Sequence, residues 1–81
     1  MFVKLPSVSY SDVIKALSRA GFIYAPKRGK GSHIAMYKID EDGKYRLVII
    51  PRKKNIPRGT LISILKQAGL SKKEFLRLLK E

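Results

Sequence analysis

The residues best suited to chemistry stand together in the stretch Lys27-Arg28-Gly29-Lys30-Gly31-Ser32-His33. His33 is the one histidine of the chain, and histidine is the side chain whose ordinary pKa places proton exchange near neutral pH. Three cations precede it, and glycines 29 and 31 let the backbone approach a phosphate closely. A proton-transfer group beside a polyanion-binding loop suits contact with an RNA backbone, or its cleavage. Cleavage by the RNA's own 2′-hydroxyl needs a base for that hydroxyl, cations around the crowded phosphorane and an acid for the leaving 5′-oxygen. Other chemistries are poorly provided for. Gly-Lys-Gly-Ser lacks the spacing of a P-loop and no helix follows it, which argues against nucleoside triphosphate binding. There is no cysteine and no second histidine, so no metal site is expected. No Ser-His-Asp arrangement is apparent either.

Composition narrows the partner. Lysine and arginine number 18 against 6 acids, a net charge of +12 over 81 residues. Such a balance implies a polyanion: nucleic acid, an acidic membrane or an acidic protein. The length suits one domain spanning residues 1–81, burying roughly 60–65% of the surface its unfolded chain exposes. Without disulfides or thiolate metal sites, packing alone must stabilise it. No apolar run approaches the roughly 20 residues of a membrane span, and Met1–Pro6 is no signal-peptide h-region. The expectation is a soluble, cytoplasmic protein with no membrane partner and no cofactor.

The elements follow from periodicity. Ser9 caps a helix, Asp12 completes a capping-box pattern, and Val13, Leu17 and Ala20 form an apolar stripe that Gly21 ends. Phe22–Ala25 reads as a short strand closed by Pro26. Ser32–Ile39 is a second strand, with Ile34 and Met36 on one face and His33, Ala35 and Tyr37 on the other. Asp42-Gly43 makes a hairpin turn, and Tyr45–Ile50 is a third strand ending at Pro51. A second basic loop, Pro51–Arg58, leads to a helix carrying Leu61, Ile64, Leu65 and Ala68, stopped by Gly69. Ser71 and Glu74 open a last helix with Phe75, Leu78 and Leu79 on its buried side. The fold class is α+β: a three-stranded antiparallel meander with helices on one face, in the order α-β-β-β-α-α.

Topology brings the basic segments together. In an up-down-up meander the loop after the first strand, the start of the second and the end of the third share one end of the sheet. Lys27, Arg28, Lys30, Arg52, Lys53, Lys54 and Arg58 should therefore cluster around His33, with the acidic Asp40–Asp42 turn at the far end.

Several short motifs occur in register: Ala-Gly-Phe at 20–22, Gly-Ser-His-x-x-x-Tyr at 31–37, Pro51, Gly-Thr-Leu-x-x-Ile-Leu-Lys-Gln-Ala-Gly at 59–69, and Glu74-Phe75-Leu76. Together, over roughly Val8 to Leu79, they resemble the HicA-type mRNA interferase toxins. The resemblance implies a fold like the double-stranded RNA-binding domain and a type II toxin–antitoxin system. It also implies metal-independent endoribonuclease activity on mRNA, silenced by an acidic HicB-type antitoxin. The family's catalytic histidine maps onto His33, with Gly31 and Ser32 as its supporting turn. Many relatives read Pro-x-His after the third strand, where this chain has Pro51-Arg52-Lys53. Lys27, Arg28, Lys30, Ser32, Arg52 and Lys53 are the expected RNA-binding residues. The rival reading is a non-catalytic RNA-binding module of double-stranded RNA-binding type, which would need the cations but not His33. A DNA-binding protein ranks lower for want of a recognition helix.

Overall fold

The computed structural model describes residues 4–25, 31 and 33–81. Its elements are α1 (Tyr10–Arg19), β1 (Ile23–Tyr24), β2 (His33–Ile39), β3 (Tyr45–Pro51), α2 (Arg58–Ala68) and α3 (Lys72–Lys80). This is the α+β order read from the sequence. The strands form one antiparallel sheet in the order β1-β2-β3.

Two helices begin in the same way. The Ser9 hydroxyl accepts from the Asp12 N–H at 3.2 Å, and the Asp12 carboxylate accepts from the Ser9 N–H at 2.9 Å. Ser71 and Glu74 repeat the exchange ahead of α3, with both bonds at 3.1 Å. These backbone donors hold the Asp12 and Glu74 carboxyls below their ordinary pKa values, the Ser9 and Ser71 N–H groups being the largest cause. A carboxyl depressed in the folded state stabilises the fold above its ordinary pKa, and the contribution is lost as pH falls through the folded value. Glu74→Ala, which removes the acceptor of the Ser71 N–H, is therefore expected to cost about 0.5 kcal/mol at pH 7. In urea titrations the gap from the parent should narrow as pH falls through the depressed Glu74 value. A gap that stays constant with pH would remove the carboxylate's charge from the cap.

The ends of α1 and α2 also match. The Phe22 N–H reaches back to the Leu17 carbonyl at 2.9 Å, and the Gly21 N–H to Ser18 at 3.0 Å. Leu70 and Gly69 make the equivalent bonds to Leu65 and Lys66 at 3.0 and 3.2 Å. Such a closure turns the chain through a left-handed residue, and Gly69 supplies it with φ +71°. A β-carbon there would lie 2.6 Å from the Arg46 guanidinium. Because Phe22 is committed to the α1 closure, β1 is shorter than the expected Phe22–Ala25 strand and runs only from Ile23 to Tyr24.

Met36, Val48 and Ile50 from the inner sheet face pack with Val13 and Leu17 of α1, Leu61, Ile64 and Leu65 of α2, and Phe75 of α3. Among the described residues no polar or charged side chain is buried. Three cations on this side are bound into the framework. Arg19 donates to the Leu78 carbonyl at 2.6 Å and Lys38 to the Ala20 carbonyl at 2.7 Å, each neutralising carbonyls at a helix end. Arg46 pairs with Asp40. Among the described residues the helices pack on the inner sheet face, although Ala35 on the outer face is buried, with Ile49 as its cross-strand partner.

Candidate functional site

The register of the β2–β3 ladder sets His33 directly opposite Pro51. The first residue of β2 and the last of β3 thus share one end of the sheet. Asp40, Glu41 and Asp42 turn the chain at the other end. That is the polarity the meander implied.

The second basic loop is held there by its backbone. The Tyr10 N–H, at the start of α1, donates to the Lys53 carbonyl at 3.0 Å. The Ile56 N–H donates to the Val8 carbonyl at 2.9 Å, and the Ile56 side chain is buried in the core. Ser7 and Asn55 add a side-chain bond of 2.9 Å. The N-terminal segment and loop 52–57 therefore brace one another, with the Arg52 and Lys53 side chains left exposed.

His33 is exposed and lines two adjoining clefts. The larger, of about 470 Å³, is bounded by His33, Pro51, Arg52 and Lys53 on one side and by Thr60, Ser63 and Gln67 of α2 on the other. The second cleft has Tyr10, Ile14, Tyr24, Gly31 and Ile34 along its walls. Among the described residues, His33 and Arg52 are common to both. Gly31, two residues before His33, has φ +55°, and no described residue lies within 4 Å of where a β-carbon would be. Backbone conformation, rather than space, is what favours glycine at that turn.

Of the residues expected in the site, the structure brings together His33, Arg52 and Lys53. Lys27, Arg28, Lys30 and Ser32 lie outside the described residues. Arg58 departs from expectation: it lines a separate groove with Leu5, Pro6, Ser7 and Leu61. It opens α2 and leaves the loop before reaching the His33 cleft. Lys54 is exposed but lines neither cleft.

The α2 wall was missed in the sequence. Thr60, Ser63 and Gln67 recur at the three- and four-residue steps of one helix face, a polar stripe beside the apolar one. Gln67 also does structural work, its side-chain oxygen accepting from the Ile49 N–H at 3.2 Å on the outer edge of β3. The site thus offers one imidazole, two exposed cations and two hydroxyls along an open groove. That set can bind phosphate oxygens and move a proton. Among the described residues no group of three His, Cys, Asp or Glu side chains could hold a metal ion.

A helix-backed antiparallel meander with an imidazole and two cations at one end defines a small basic α+β protein of the architecture set out above. The chain belongs to the HicA family of toxins from bacterial toxin–antitoxin systems, whose family model matches residues 10–70. Members are generally mRNA interferases. The matched span starts with α1 and ends one residue past Gly69, so it covers the sheet, the His33 clefts and the polar face of α2, while α3 lies beyond it. No curated protein matches the sequence. No helix among the described residues is long and apolar enough to cross a membrane.

Proposed function

We propose that this chain is a metal-independent endoribonuclease toxin that cleaves mRNA with His33 as its proton-transfer residue. The observation that carries the reading is the placement of His33 beside Arg52 at the junction of two open clefts, with Lys53 in the same wall. An RNA strand crossing that junction would bring a phosphate to the imidazole and the guanidinium together. His33 takes the proton from the 2′-hydroxyl and, as the imidazolium, returns it to the leaving 5′-oxygen. The 2′-oxygen bonds to phosphorus, the bond to the 5′-oxygen breaks, and that oxygen leaves protonated. Arg52 and Lys53 stabilise the charge gathering on the phosphorane oxygens. Lys27, Arg28, Lys30 and Ser32 are assigned to the same backbone by sequence alone. The partner in the resting cell is an acidic antitoxin that excludes RNA from this end of the sheet.

Lys53 stands where many relatives carry a second histidine. Lysine is a poor acid–base catalyst near neutral pH unless its pKa is strongly lowered, which favours His33 as the sole proton carrier. It also gives the rival reading, an RNA-binding module without cleavage, its specific support. Purified protein and a long RNA separate the two. Cleavage is expected to persist in excess EDTA and to leave 2′,3′-cyclic phosphate ends. Loss of activity in chelator with recovery on adding magnesium would overturn the metal-independent route. RNA retention without any cleavage, and without growth arrest on expression, would favour the binding module.

A further inference from the structure

The face of the sheet turned away from the helices is apolar, and the cleavage chemistry does not use it. Alternation along the strands puts Ile23, Ala35, Tyr37, Ile39, Tyr45, Leu47 and Ile49 on this side, none of them in the helix-backed core. Ile23 is 56% exposed, Ile39 63% and Tyr45 51%. The Tyr37 and Tyr45 rings stack across the diagonal of the ladder at 5.7 Å. Lys38 and Arg46, which alternate with these residues, are engaged by the Ala20 carbonyl and by Asp40. At the strand positions of this face His33 is the one ionisable group other than the two tyrosines.

Strand spacing and rise give this patch an area of about 250–350 Å². The largest apolar patch on a monomer is often functional. We propose that this face is the hydrophobic anchor for the antitoxin, a protein surface offering apolar side chains bordered by carboxylates. The inference rests on the toxin reading above.

Three arguments favour that occupant. Ile23, Ile39, Leu47 and Ile49, with no lysine or arginine at the strand positions of this face, suit protein, whereas single-stranded RNA is held by aromatics interleaved with cations. A second copy of the chain would bring another +12 of charge to the contact, which opposes self-association. Area then sets the direction of growth. A stable protein interface takes about 800 Å² from each partner, so anything docked here must extend past the sheet. One end presents Asp40, Glu41 and Asp42; the other presents His33, Arg52 and Lys53. An acidic protein extends toward the basic end and so covers His33, which lies on the same face and is continuous with the patch.

The paired substitution Ile39→Lys and Tyr45→Lys tests the anchor, because it removes apolar surface while adding positive charge. The probe is the protein whose co-expression relieves the growth arrest caused by this chain. If charge alone attracted it, the variant would bind at least as tightly as the parent. The expected result is dissociation at least tenfold faster, with RNA cleavage within twofold of the parent and an unchanged circular dichroism spectrum. Unaltered dissociation would overturn the proposal. Loss of RNA cleavage by the folded variant would overturn it in favour of RNA on this face. Concentration-dependent sedimentation of the parent, abolished in the variant, would overturn it in favour of a second copy. Failure of the parent chain itself to arrest growth or cleave RNA would be a failure of the toxin reading, seen before any variant is made.

Discussion

His33→Ala is expected to slow RNA cleavage by at least about 100-fold, since positioned acid–base groups contribute about 10²–10⁴-fold. The fold should survive the change, since His33 is exposed and no buried side chain is removed with it. Circular dichroism should match the parent, and RNA affinity should fall far less than the rate. Growth arrest on expression should disappear. Added imidazole should restore part of the lost rate, an effect that a purely structural role would not show. Undiminished cleavage by the folded variant would take His33 out of the mechanism.

The assignment of His33 draws on a part of the molecule that was legible in the sequence. Ser9 and Asp12, three residues apart, announce α1, and Ser71 and Glu74 announce α3, because a capping box is a local exchange between neighbours. Gly21 and Gly69 mark helix ends for the same reason. Alternation separated Met36 from Tyr37 and hence the inner sheet face from the outer one. Once the strands were in hand, meander geometry alone carried His33 to Pro51. What could not be read was the non-local bracing. The Tyr10-to-Lys53 and Ile56-to-Val8 backbone bonds join segments more than forty residues apart, and backbone groups carry no sequence identity. They decide that Arg52 and Lys53 line the His33 cleft, while Arg58 starts α2 and belongs to another groove. Thr60 and Ser63 were hidden differently. Polar residues on a helix usually face water, and only the placement of α2 along the edge of β3 makes them a wall of the cleft. The Phe22 N–H bond to Leu17 likewise shortened β1, a competition between helix closure and strand pairing that composition does not resolve.

The largest binding effect should come from reversing charge at Lys30 and Lys53 together, as Lys30→Glu with Lys53→Glu. Each lysine that neutralises a phosphate on a single strand contributes about 0.7 to the slope of log affinity against log salt. Removing two such contacts should lower the slope by about 1.4 and weaken RNA binding about 25-fold at 0.1 M salt. The reversed charges add repulsion to that loss. The same variant should slow antitoxin association at low salt, because opposite charge speeds encounter more than it holds the finished complex. Its effect should shrink as salt rises, since exposed charges are screened over roughly 8–10 Å at physiological ionic strength. Its dissociation rate should change much less. The lysine substitutions at Ile39 and Tyr45 should do the reverse, accelerating release while encounter at low salt stays at least as fast as in the parent. Two surfaces acting on two different rate constants would mean that the antitoxin is steered by the basic end and retained by the apolar face. If the Lys30 and Lys53 substitutions impair RNA binding yet leave antitoxin association unchanged at every salt concentration, the inhibitor does not share the RNA-binding end. Inhibition would then have to reach His33 without covering the cations beside it.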